Sequence, residues 1–321
     1  MLPFLLAAGL SQAPLQAHAQ AQAYPTRPVK IVVPSTAGDG SDVLARAVAK
    51  QLTDSMKQAF YVDNKPGAGG SIAADYVAKS APDGYTIFLG NGSTQAVTPN
   101  LYPNLPYDSV KDFTPVVMIS SAPNVLVVNS ALPVNSVADF IALSKREPGK
   151  LTLASAGNGS ISHLSVELLK SMAGVDILHV PYKGASPALL DISSGQVSGM
   201  IINIPTVLPL LRSGKLKALG VTSLKPAETL PGVPTLDQSG VPGYQTAAWF
   251  GFLMPARTPP EVVQAVFMQT AKALSQPEVK AELQKLGSEP SGANPQDFAA
   301  FMRVESAKYA KIIKDANIKL E

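Results

Sequence analysis

Residues 28–52 read PVKIVVPSTAGDGSDVLARAVAKQL. Val29–Val33 is an unbroken β-branched run of strand length, and Pro34 follows it. Six small residues come next, Ser35-Thr-Ala-Gly-Asp-Gly40. Ser41 is then placed to N-cap a helix carrying Val43, Leu44, Ala47, Val48 and Leu52 on one side. Strand, glycine loop and amphipathic helix in that order form the repeating unit of a parallel α/β sheet.

The unit recurs outward from this stretch. A second strand is expected at 60–62, a glycine run at 66–70, a helix from Ser71 to about Lys79, a turn at 82–84 and a third strand at 86–89 ending in Gly90-Asn91-Gly92. Residues 116–119 and 125–128 read as two strands separated by Ser-Ser-Ala-Pro. The rhythm then restarts. A strand at 151–154 leads into Ser155-Ala-Gly-Asn-Gly-Ser160, and a helix over 162–172 carries Leu164, Leu168 and Met172, with Gly174 just past its end. Strands follow at 177–180, 200–202 and 216–221, and Ser186-Pro187 opens a helix that Gly195 stops. The stretch 230–244 reads as an ordered loop, 250–254 as a last strand, and three helices close the chain near 260–274, 277–286 and 295–316. Two α/β units in series predict two lobes. Ligand sites of open α/β sheets lie beyond the carboxyl ends of the strands, so two facing lobes would put both glycine loops in one cleft.

Composition narrows the function. The 321 residues carry 26 Lys+Arg against 23 Asp+Glu, and no basic block points to nucleic acid. Hydrophobic residues make up 46%, ample for sizeable cores, and no apolar run reaches the length of a bilayer span. With no cysteine, thiolate chemistry, disulfides and Cys-type zinc sites are excluded. Residues 1–23 hold no charged side chain, include the apolar run 2–10, and offer Ala-x-Ala sites at 17–19 and 21–23; they read as a signal peptide for export to the periplasm, though a positive n-region is missing.

Catalytic equipment is sparse. Past residue 23 the histidines are His163 and His179, and G-x-S-x-G, Walker A and H-E-x-x-H patterns are all missing. Gly38-Asp-Gly40 and Gly157-Asn-Gly159 look like half a dinucleotide fingerprint, but Val43 and Ser162 stand where its third glycine belongs. Each loop instead presents backbone N–H groups at a helix N-terminus, which favours an anion, and Ser35, Thr36, Ser155 and Ser160 add neutral hydroxyls. Ser155 and Ser160 are expected to converge on one carboxylate oxygen. This equipment holds a carboxylate and breaks no bond.

These residues resemble a known family. Tyr24-Pro-Thr-Arg-Pro-Val-Lys-Ile-Val-Val-Pro34, Asn64-Lys-Pro-Gly-Ala-Gly-Gly70, Ala81-Pro-Asp-Gly-Tyr85, Asp112-Phe-Thr-Pro-Val116, Ala154-Ser-Ala-Gly-Asn-Gly-Ser160 and Gly214-Lys-Leu-Lys-Ala-Leu-Gly-Val-Thr-Ser223 are similar to Bug/TctC receptors of tripartite tricarboxylate transport systems. The run from His179-Val-Pro-Tyr-Lys-Gly-Ala185 to Val197 is the most specific match, and 308–319 also fits. The resemblance implies a two-lobed periplasmic binding protein with two crossings, near Ala122 and Ala247. One lobe is then 24–122 with 247–321, and the other is 123–246. It implies a small organic acid as ligand, held at Ser35, Thr36, Ala37, Gly38 and Asp39 of the first loop and at Ser155, Gly157, Asn158, Ser160 and His163 of the second. Tyr182, Lys183, Gly184 and Ala185 form a wall, and Asn91 and Asn203 complete the expected ligand-binding set. It further implies permease subunits as partners, a monomer, no metal, no cofactor and no enzymatic activity. A receptor that signals to a sensor kinase is the alternative. Two departures bear on the ligand: Asp39 stands at a position usually occupied by glycine, and Ile202 at one often occupied by a small polar residue. Either Asp39 faces solvent or caps the helix, or the ligand carries a cationic or donor group facing it; Ile202 favours a less polar far end, so ligand identity stays open.

Overall fold

The computed structural model describes residues 24–315 and 318, apart from 39, 183 and 286. The reading of 1–23 as a signal peptide therefore falls outside the described residues.

Three parallel strands begin the chain: β1 (Val29–Val33), which leads through α1 (Gly40–Met56) to β2 (Phe60–Asn64), and then through α2 (Ser71–Ala78) to β3 (Thr86–Asn91). Ser41 lies inside α1, not at its cap; the loop is fastened to the helix by Asp42, whose carboxylate accepts from Gly38 N–H at 2.9 Å. After β3 the chain makes one π-helical turn, Ser93–Val97, and the short α3 (Thr98–Leu101).

The two strands expected around Ser120-Ser121 are one strand, β4 (Phe113–Asn129), 17 residues long. Its first part pairs antiparallel with β9 as far as Pro123 opposite Ala247, and from Asn124 onward it pairs with β7 and β8. Pro123 lacks an N–H, so it fits where the ladder changes partner.

The second unit is α4 (Val137–Arg146), β5 (Thr152–Ser155), α5 (Ile161–Ala173), β6 (Leu178–Pro181), α6 (Ala185–Ser193), β7 (Gly199–Asn203), α7 (Ile204–Arg212) and β8 (Leu216–Val221). β9 (Ala247–Pro255) returns to the first sheet, followed by α8 (Pro260–Leu274), α9 (Pro277–Lys285), the two-residue β10 (Glu289–Pro290) and α10 (Pro295–Asp315). The strand path is β2-β1-β3-β9-β4-β7-β5-β6, with β8 and β10 also on β4. The wholly parallel sheet suggested by the repeats is thus a mixed one: β1, β2 and β3 are parallel, as are β5, β6 and β7, while β4, which runs through both halves, and β9 pair antiparallel.

Each half has its own core. Val29, Ile31 and Val33 of β1 pack with Leu44, Val48 and Leu52 of α1 and with Phe252 of β9. In the second half Leu126, Phe140, Leu153, Val166 and Tyr244 form one cluster, and Val125, Ile192, Met200 and Val207 another. Burying such side chains contributes roughly 1.5–3 kcal/mol each, so each half has the means to hold its own shape.

Candidate functional site

Two adjoining cavities lie between the halves. One, of about 350 Å³, is lined by Pro34, Asn91, Ser93, Thr98 and Tyr102 from the first half and by Asn158, Gly159 and Ser160 from the second. The other, of about 290 Å³, is lined by Ser93, Asn124 and Ala248 and by residues from the N-terminal ends of α5, α6 and α7. Ser93 and Ser160 line both, so the two are continuous. Among the described residues no charged side chain lines either one.

The first loop sits at the rim. Pro34 reaches a cavity, but Ser35 to Gly38 line neither, and Thr36, Ala37 and Gly38 are exposed. The loop's hydrogen bonds turn inward: Ser35 Oγ pairs with Ser41 Oγ at 2.7 Å, and the Asn64 amide donates to Ser35 O and to Asp42 Oδ1. Burial opposes ionisation of Asp42, yet the Arg46 guanidinium, Gly38 N–H and Asn64 amide outweigh it and hold its carboxyl below the usual range. Asp39 lies outside the described residues, as does Lys183.

Asn91 acts as a brace at the end of β3. Its Oδ1 accepts from Thr94 N–H at 3.0 Å, and its own N–H donates to Thr94 Oγ1 at 3.2 Å. This fastens the turn that carries Ser93 into the cleft.

The second loop is fastened from within. Ser155, fully buried, bonds His179 Nε2 at 2.7 Å and accepts from Gly157 N–H at 3.1 Å. Ser160 N-caps α5: its hydroxyl accepts from His163 N–H and donates to Gly157 O at 2.6 Å. Both hydroxyls expected on the ligand are therefore engaged inside the loop. Gly157 has φ +127°, and a Cβ there would stand 3.2 Å from Tyr182 O, so glycine is required on two counts. His163, 7% exposed, lies behind the loop and lines neither cavity. What the loop offers a ligand is the exposed Asn158 amide, which has no hydrogen-bond partner among the described residues, and the N-terminal turn of α5.

The wall residues separate. Tyr182 lines neither cavity; its hydroxyl donates to Asp191 at 2.7 Å, which pushes its pKa up to about 12. Gly184 is the N-cap of α6, two residues ahead of the expected Ser186 start, and Ala185 lines the second cavity. Asn203 is the N-cap residue of α7, exposed, with no side-chain capping bond, and it lines the same cavity. Ser93, Thr98, Asn124 and Thr206 are cleft residues that the sequence reading passed over. Asn91-Gly92-Ser93, a glycine loop after a strand, and Asn203-Ile-Pro205, a cap with proline in the first turn, were the available signals.

Three helix N-termini thus meet at the second cavity, those of α5, α6 and α7. Each carries unpaired first-turn N–H groups and the positive end of a helix dipole. Ile161, Met200, Ile201 and Ile202 give the cavity an apolar stretch, and Ser93 and Asn124 add polar groups beside it. A groove of about 550 Å³ between α5 and α10 is larger, but it lies away from every glycine loop, and its charged residues Glu167 and Lys170 pair with each other, as do Lys311 and Asp315.

Two α/β halves that share the long strand β4 and face each other across a neutral, donor-lined cleft define a two-lobed solute-binding protein. The sequence profile described as "Tripartite tricarboxylate transporter family receptor" matches residues 44–318, and the chain belongs to that family. The solved periplasmic binding protein BugD is 34% identical with a TM-score of 0.75, over 93% of this chain and 100% of that one. Protein BugT of Bordetella pertussis is 36% identical over 313 residues, 97% of this chain and 96% of that one. The solved structure of Rpa4515 of R. palustris with adipate is 42% identical with a TM-score of 0.79, over 92% of this chain and 99% of that one. MatC of Rhodopseudomonas palustris with bound malate is 33% identical with a TM-score of 0.75, over 90% and 100% of the two chains.

Proposed function

We propose that this protein is an exported receptor that captures a small organic acid in the cleft and delivers it to the membrane subunits of a tripartite tricarboxylate transporter. The observation that carries the reading is the meeting of three helix N-termini at one cavity without a charged side chain among the described residues. A carboxylate there is held by N–H groups and dipoles, with Asn203 and Asn124 amides beside it. The apolar stretch of Ile161, Met200 and Ile202 suits an aliphatic or aromatic middle, and the polar end formed by Asn91, Ser93, Thr98 and Asn158 suits a second carboxylate or a hydroxyl. Adipate in one relative and malate in another have this build. The lobes are divided at 24–122 with 247–321 and at 123–246, consistent with the change of strand partner after Pro123.

Native mass spectrometry of gently purified protein tests the reading. The expected result is a co-purifying mass that is released on activation and identified as an organic acid. A neutral sugar in its place would overturn it.

A further inference from the structure

The two histidines are not independent. The rings of His163, on α5, and His179, on β6, stack with centroids 3.9 Å apart and planes 11° from parallel. His163 Nδ1 lies 3.1 Å from Gly159 N, which can only donate, so this nitrogen carries no proton and the neutral ring is protonated at Nε2. His179 Nε2 meets Ser155 Oγ at 2.7 Å. One stacked pair therefore grips the second loop at both ends, Ser155 at its start and Gly159 near its finish. Between these points lies Asn158, and Gly159 and Ser160 line the cleft directly.

We propose that His163 is a positioning residue of the ligand site, a clamp that sets the shape of loop 156–160 and opens when its Nδ1 takes up a proton. A protonated Nδ1 is a donor facing the Gly159 N–H, so the bond is lost and two donors oppose each other. The inference rests on the cleft being the acid site. The groups that face His163 are Glu167, whose Oε1 lies 4.0 Å from Nε2, Lys170, which pairs with Glu167 at 2.9 Å, and His179; Lys308, Lys311 and Asp315 of α10 lie across the groove that Glu167 and Lys170 line. Burial holds the neutral form of both rings, and stacking disfavours two charges side by side. The clamp is thus shut at neutral pH and opens in acid.

The test compares the full chain with the His163→Asn variant, whose Oδ1 can accept from Gly159 N–H but does not titrate, and with His163→Leu, which has no acceptor. In the unliganded protein the Gly159 amide resonance should move as pH falls from 7.5 to 4.5, and stay in place in His163→Asn. Adipate affinity should fall over the same range about threefold or more beyond the fall in His163→Asn, which shares the ligand's own titration. His163→Leu should bind weakly at every pH, and His163→Asn should restore neutral-pH affinity. A Gly159 resonance indifferent to pH, matching pH profiles in wild type and His163→Asn, or adipate affinity that rises with acidity would each overturn the clamp. If the Gly159 resonance behaves as expected but no acid binds at any pH, the clamp stands and the acid-site reading fails.

Discussion

The hydroxyl of Ser155 stands 2.7 Å from Nε2 of His179 and is fully buried. It belongs to the loop's internal bonding rather than to a ligand. Replacing it leaves the half-buried His179 nitrogen and the Gly157 N–H, which donates to the same oxygen at 3.1 Å, without this partner. Ser155→Ala should therefore lower stability by about 1–3 kcal/mol, read as a drop in melting temperature of the unliganded protein. An unchanged melting temperature would show that another group takes over both bonds.

The amides of Asn158 and Asn203 have the opposite character. Both are exposed at the cleft and have no side-chain hydrogen bond among the described residues, so Asn158→Ala and Asn203→Ala should melt like wild type. Each should weaken binding of an organic acid. A hydrogen bond to a charged group is worth about 1.5–3 kcal/mol, or roughly ten- to a hundredfold in Kd. Titration calorimetry reads the loss, and wild-type affinity in both variants would move the carboxylate elsewhere.

The histidines also set an acid limit on stability. Burial lowers the pKa of His163, and burial together with the charge His163 can carry brings His179 from its ordinary 6.5 to about 4. Both rings bind a proton more readily in the unfolded chain. Stability is then fully present above about pH 6.5 and falls as pH drops through the window toward 4. Melting curves of the unliganded protein across that range should show the decline, and a variant with both histidines replaced by asparagine should show less of it.

Much of the architecture was legible because strand-to-helix units announce themselves locally. The 260–274 helix has the expected bounds, and β1 occupies the expected residues. What failed was punctuation. Ser120 to Pro123 read as a break between two strands; here tertiary pairing with β9 holds them extended. No helix was expected where α7 lies; Pro205 occupies its first turn, where no N–H bond is lost, and Pro209 lies inside it. α4 was passed over although Ser136 caps it by accepting from Asp139 N–H. The glycine loops do flank the cleft, but the direction in which their side chains bond was not readable. Ser155 and Ser160 bond inward and Asn158 points out, a distinction that depends on His179 arriving from a strand 24 residues later.

Closure of the lobes should accompany binding. The chain crosses between the halves through β4 and just before β9, and Ser93 and Ser160 line the cleft from opposite halves. A ligand touching both favours the closed state by its better contacts there. Small-angle scattering should give a smaller radius with a saturating acid, and an unchanged radius would count against a hinge.

The central claim is that the cleft recognises a carboxylate by neutral donors and helix N-termini. Titration calorimetry with adipate, malate and benzoate, each beside its amide, tests it most directly, because acid and amide share shape and differ in charge. At least one acid should bind, with its amide weaker by about a hundredfold, roughly 2.7 kcal/mol. An amide that binds as well as its acid, or a panel in which no acid gives heat, would contradict it.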